Sequence, residues 1–351
     1  MEKSLISLNN SYQNQYKYHN KSNLSFGAKL TVLNQYTPKP KSALASARDI
    51  AEEEMKNGNF NAAINSFKQA LNLDPNDFDS HLGIAKAYTY NGQHAQSISH
   101  FEAYLKSAPE DIENITMLGE AYKKTGMYDK AKDYFKKALA IEPRYDYAKR
   151  NLLDTQNLEL ALTDPQKAQK ERYDTAINNL TQAVKIAGNF LPSGYTNSLK
   201  DVSVSFDKTS KMGGRSNIAQ YEHAKRKISV TEEYTYADPK LTGAYLVHEF
   251  VHASDNDPYT SIREEQDAYA IQAKYWTQNV KNICDPEMDY VADLYRQSAE
   301  TLEARVSEIY RLRDPEIAET SRLHPPTNTN IAGTSLSDAA GQPLKAYDII
   351  V

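Results

Sequence analysis

GNFNAAINSFKQALNLDP (residues 58–75), GQHAQSISHFEAYLKSAP (92–109) and GMYDKAKDYFKKALAIEP (126–143) are one pattern written three times. Gly58, Gly92 and Gly126 stand 34 residues apart, and so do Pro75, Pro109 and Pro143. Phe67, Phe101 and Phe135 keep the same interval, as do Leu71, Leu105 and Leu139. Each type has a mechanical reason to recur. Glycine ends a helix because a left-handed last residue suits it. Phenylalanine and leucine four apart share one face of the next helix, and proline opens the unit that follows.

A 34-residue period of these types resembles the tetratricopeptide repeat. The units are 44–77, 78–111 and 112–145, with small residues where helices cross: Ala51, Ala85 and Gly119, then Ala63, Ser97 and Ala131. The resemblance implies an α-solenoid. One unit cannot bury its own apolar face, so the stack needs caps, and the helical pattern over 146–162 is expected to close its C-terminal end. The resemblance also implies an inner face that takes a protein partner, lined by Arg48, Glu52, Leu82, Lys86, Tyr90, Thr116, Glu120 and Lys124. That mixture of charge departs from the Lys/Asn clamp with which chaperone-binding repeats hold a C-terminal carboxylate.

The rest of the composition narrows the function. Of 351 residues 40% are hydrophobic and 25% charged, with a net charge of −5 and no long like-charge run, which argues against nucleic acid as a partner. Lys225-Arg226-Lys227 is too short to change that. Cys284 is the single cysteine, so the chain forms no internal disulfide, as in a reducing compartment. Lys3 begins like a signal peptide, but Asn, Ser, Gln and Tyr follow before any apolar core forms. No apolar run of about eighteen residues occurs. The expectation is a soluble, cytoplasmic protein without a membrane span, beginning with a disordered leader over 1–42.

After Pro192-Ser-Gly the period changes. Val202, Val204 and Phe206 alternate with polar residues as in a strand; MGGRSN (212–217) supplies a turn, and NIAQYEH and KISVTEEYTY predict two more strands. From 239 the pattern is helical again, until a Pro/Gly/Ser/Thr-rich tail beyond about 320. In AYLVHEFVHASD (244–255), His248 and His252 lie one turn apart on a helix that is apolar nearly all round. Two imidazoles so placed reach one zinc ion with little strain. Glu249, directly after the first, can take a proton from a water on the ion's open position and pass it to a leaving amine. HEFVH is a complete H-E-x-x-H motif.

A catalytic zinc needs a third protein ligand. Ser261 and Glu264 read as a capping box for the next helix. Within that helix Glu265 interrupts the apolar stripe Ile262, Tyr269, Ala273, Trp276, and a carboxylate in such a stripe calls for a cation. Glu265 is the expected ligand and Glu264 the reserve. The arrangement resembles the gluzincin type of zinc metallopeptidase, H-E-x-x-H followed by glutamate on the next helix, over roughly residues 200–280. Where an E-x-x-x-D version carries aspartate, this chain has Tyr269; Asp255 is an alternative for orienting a ligand. The resemblance implies an edge strand before the zinc helix for substrate to pair with, placed at 227–236. It leaves the oxyanion donor open among His223, Tyr234, Tyr259 and Tyr269. The expected fold is mainly α with a small β-sheet (α+β): leader 1–42, repeats with capping helix 43–162, a zincin-like metallopeptidase domain 163–320 and a flexible or extended tail 321–351. The expected function is zinc-dependent peptide hydrolysis with the repeats recruiting a protein substrate or partner. The alternative is a non-catalytic interaction scaffold whose zincin domain is degenerate or structural.

Overall fold

The computed structural model describes residues 42–207, 211–212, 215–216, 218–255, 261–313 and 344–345. The leader expected over 1–42 lies outside them apart from Ser42, and so does the tail apart from Leu344–Lys345. The chain divides into two compact units that part between Pro143 and Arg144.

The first unit is mostly helical hairpins: α1 (Ala43–Lys56), α2 (Phe60–Leu73), α3 (Phe78–Tyr90), α4 (His94–Leu105), α5 (Ile112–Lys124) and α6 (Tyr128–Ile141). The three recurring glycines have φ of 75°, 75° and 78°, the left-handed turn that ends α1, α3 and α5. Asp77 and Asp111 cap α3 and α5 by accepting the amides of Ser80 and Asn114. Every small residue expected at a helix crossing is buried, and at Gly119 the Phe135 ring takes the place of a side chain; a Cβ there would lie 2.7 Å from that ring. Phe67 covers Gly83 in the same way.

The second unit begins with α7 (Asp146–Thr163) and α8 (Pro165–Phe190). The helix assigned from the sequence to the end of the repeats thus groups with the C-terminal unit. Its first residues explain this: Tyr145 bridges Cys284, and the Asp146 carboxylate accepts the amide of Asp238, where a later helix starts. β1 (Ser203–Asp207), β4 (Ala219–Glu222), β5 (Lys227–Thr231) and β6 (Leu344–Lys345) form a sheet in the order β4-β5-β1-β6. β1 and β5 run parallel, while β4 is antiparallel to β5. The short β2 (Lys211–Met212) and β3 (Arg215–Ser216) pair across the expected MGGRSN turn. Four helices follow: α9 (Pro239–Ser254), α10 (Ile262–Asn279), α11 (Pro286–Gln297) and α12 (Ala299–Arg313). α8 packs along α9, and the core runs from Leu180 and Val184 through Val204 and Val230 to Leu246, Phe250 and Trp276.

One expectation is corrected here. Residues 227–236 are not an edge strand: 227–231 lie inside the sheet between β4 and β1, and 232–234 form a 3₁₀ turn. β4 is an edge strand: among the described residues Ala219–Glu222 pairs in the sheet with β5, and β6 ends the other side. Among the described residues no helix is long and apolar enough to cross a membrane.

Candidate metal centre

α9 starts as its sequence demands. Asp238 caps it by accepting the amide of Lys240, and Pro239 occupies the first turn, where a missing N–H costs nothing. From Leu241 to Ala253 every residue is buried. His248 and His252 project together, and their Nε2 atoms stand 3.1 Å apart. α10 brings Glu265 to the same point. One carboxylate oxygen lies 3.5 Å from His248 Nε2 and the other 3.5 Å from His252 Nε2. Glu265 is 0% exposed.

These distances fit a metal. Zinc bonded at about 2.0–2.1 Å in tetrahedral geometry holds its ligand atoms about 3.3–3.4 Å apart; the two imidazole nitrogens are 3.1 Å apart, and each has one of the two Glu265 oxygens at 3.5 Å. Two imidazoles and a carboxylate are also the right donors for zinc. Among the described residues this is the one group of three His, Cys, Asp or Glu side chains close enough to hold an ion.

Glu264 and Glu265 take different places. Glu264 Oε1 accepts the Nδ1–H of His252 at 2.6 Å, on the far side of the ring from the cluster. The capping box forms as expected, with Ser261 Oγ accepting the amide of Glu264 at 3.0 Å and Glu264 Oε2 accepting the amide of Ser261 at 3.4 Å. Glu264 therefore does not join the cluster, since consecutive helix residues point about 100° apart.

Glu249 is 4% exposed, and its Oε2 accepts the backbone N–H of Tyr221 at 2.7 Å. Tyr221 lies on the edge strand β4, and this amide points off the sheet towards α9. Burial raises the Glu249 carboxyl above its ordinary pKa, opposed by the two imidazoles and the Tyr221 amide. Sequence reasoning missed Tyr221, since no side-chain pattern signals a backbone donor. It also missed Arg226, which adopts a left-handed φ of 46° and whose guanidinium donates to the Tyr221 hydroxyl at 3.2 Å and the Ser198 carbonyl at 2.5 Å.

Of the oxyanion candidates, Tyr269 sits against His248 with ring centroids 4.5 Å apart. Tyr234 is instead buried beneath the Arg150 guanidinium, 3.9 Å from its ring. His223 lies edge-on to Tyr221 at 5.9 Å, and Tyr259 is outside the described residues.

In the repeats, two of the three expected inner-face cations are engaged. Arg48 pairs with Asp77 at 3.3 Å and Asp79 at 2.7 Å, and Lys86 with Glu113 at 3.3 Å. Thr116, expected on that face, is fully buried and donates to the Ile112 carbonyl.

Comparison with known proteins bears on the repeats. Residues 51–92 match a family model described as TPR repeat, and residues 116–145 one described as tetratricopeptide repeat. These segments are tetratricopeptide repeats, as their period implies. No curated protein matches the chain in sequence. Among solved structures, the Sgt2 TPR domain from Aspergillus fumigatus is 23% identical, covering 35% of this chain and 83% of its own, with a TM-score of 0.32. MamA from Desulfovibrio magneticus RS-1 is 20% identical, covering 36% of this chain and 70% of its own, with a TM-score of 0.33. The second TPR domain of human RPAP3, in complex with an HSP70 peptide, is 18% identical, covering 32% of this chain and 95% of its own, with a TM-score of 0.31.

Proposed function

We propose that the chain is a zinc-dependent peptidase of the zincin type, with His248, His252 and Glu265 as metal ligands and Glu249 as general base. The carrying observation is the buried group of two imidazoles and a carboxylate, close enough to share one ion, beside a second carboxylate from the helix that bears the histidines. An ion held there supplies Lewis acidity, polarising a carbonyl and acidifying a water. Glu249 accepts the water's proton at its carboxylate and delivers it to the departing amine nitrogen. The Tyr221 amide holds Oε2 in place, leaving Oε1 for that exchange. The buried surroundings exclude bulk water and favour a carboxylate that readily takes up a proton.

The repeats, in this reading, present a protein or peptide to the enzyme. The RPAP3 domain holds an HSP70 peptide. Here Arg48 and Lys86 already face acidic partners, so we propose a partner segment of mixed charge rather than a C-terminal carboxylate.

The test is bound metal followed by hydrolysis. Protein prepared with zinc should hold one equivalent by elemental analysis. Glu249→Gln should keep that ion while cleavage of a peptide library, followed by mass spectrometry, falls at least about 100-fold. Absence of zinc from the wild type would sink the catalytic reading, and full activity in the variant would remove Glu249 as the base.

A further inference from the structure

Capping boxes are usually local devices: the glutamate reaches back to the first amide, and nothing beyond the helix start depends on it. Glu264 differs because both its oxygens are committed, one to the Ser261 amide and one to His252 on the preceding helix. It is almost wholly buried, so water does not take the place of either bond. An ionised carboxylate only accepts hydrogen bonds, so His252 must donate from Nδ1. The neutral ring then carries its lone pair on Nε2, the atom facing His248 and Glu265.

We infer that Glu264 is a positioning residue that fixes the tautomer of His252 and at the same time anchors the helix start that carries Glu265. This inference rests on the metal reading above. One side chain thereby sets two of three ligands on two helices: His252 through its ring, and Glu265 by standing next to it in the first turn of α10. The E-E pair at 264–265 divides the work, with the first residue turned to the back of an imidazole and the second into the cluster. Carboxylates that accept a hydrogen bond from a ligating histidine typically govern metal affinity by about 10–100-fold.

The experiment separates positioning from capping. Glu264→Gln leaves a side chain of the same shape and one oxygen, which serves His252 or the cap but not both. Ser261→Ala removes the reciprocal cap bond and leaves the His252 contact untouched. Zinc affinity of the full chain is measured by competition with a chromophoric chelator, apo Tm by calorimetry, and the His252 tautomer in the apo protein by long-range ¹H–¹⁵N correlation. The expected result is zinc binding weakened about 10–100-fold in Glu264→Gln, together with loss of the pure Nδ1–H tautomer. Ser261→Ala should bind zinc within about twofold of wild type and keep the tautomer, although its Tm falls. Unchanged affinity in Glu264→Gln would overturn the inference while leaving the metal site standing. Equal weakening in both variants, tracking Tm, would reduce Glu264 to a cap and overturn it as well. Wild-type protein that binds no zinc would take down the inference and the metal reading together.

Discussion

The two units bury different things. The repeats bury chiefly phenylalanine and alanine, with Lys123 the buried charge among their described residues, and leave their ion pairs partly exposed: Arg48 with Asp77 and Asp79, Lys86 with Glu113. The C-terminal unit buries charge itself, in Arg150, Asp146, Asp285, Glu249, Glu264 and Glu265. Burying charge is costly unless it is paired or bonded to metal, so a chain that concentrates it in one unit assigns the two different tasks. Apolar packing in the repeats builds a surface by stacking. Oriented charge in the second unit builds a site.

The largest stability effects should separate along that line. Phe101 is fully buried, and Phe101→Ala should cost about 3–5 kcal/mol in urea unfolding. Zinc affinity should stay unchanged, and a parallel loss would break the contrast between packing and site. In the other unit, the Arg150 guanidinium covers Tyr234 and faces two carboxylates, Asp146 and Asp285. Burial pushes Asp285 up to about 6, opposed by the Met288 amide and by Arg150. Arg150→Leu would strand both carboxylates and should cost about 3 kcal/mol. A neutral result would show that the buried charges there are not held by one another.

What was legible in the sequence follows from the same contrast. The repeats state each rule three times, so Gly58, Phe67 and Pro75 are read against their copies and the helices come out in place. HEFVH and the Ser261–Glu264 cap were legible because helical spacing is a local property. The choice between Glu264 and Glu265 was not local: it depends on where His252 stands relative to α10, and only the fold sets that. The edge strand was misplaced for a related reason. Ile228 and Val230 alternate more cleanly than Ala219–Glu222, and a clean alternation marks a strand with a buried face rather than the strand at the edge.

That edge offers a finer probe. The Tyr221 amide points off the sheet to Glu249, so proline at this position removes a donor without breaking the ladder to β5. Tyr221→Pro should lower peptide hydrolysis about tenfold relative to Tyr221→Ala, a difference of ~1.4 kcal/mol, with zinc content unchanged in both. Equal rates in the two variants would mean that the backbone bond does not hold the base.

The smallest effect brings the comparison back to histidine, because the repeats contain a pair too. His81 Nδ1 and His100 Nδ1 lie 3.0 Å apart, and His81 Nε2 faces the Pro75 carbonyl at 3.3 Å. A carbonyl only accepts, so His81 donates from Nε2 and takes the His100 Nδ1–H at its other nitrogen. No carboxylate stands behind either ring in these bonds, in contrast to His252. Burial lowers His100 to about 4, helped by the charges of His81 and Lys68. Unfolded histidine titrates near 6.5, so between those values the unfolded chain binds the proton and the folded chain does not. The contribution is complete above about pH 6.5 and is lost as pH falls towards 4. After allowing for the ring's partial exposure it amounts to about 1–2 kcal/mol. Urea unfolding at pH 7.5 and 4.5 should therefore show a smaller pH difference in His100→Gln than in wild type. Carboxylates titrating in the same range cancel in that comparison, so an identical difference in the two proteins would show that the pair is mere packing.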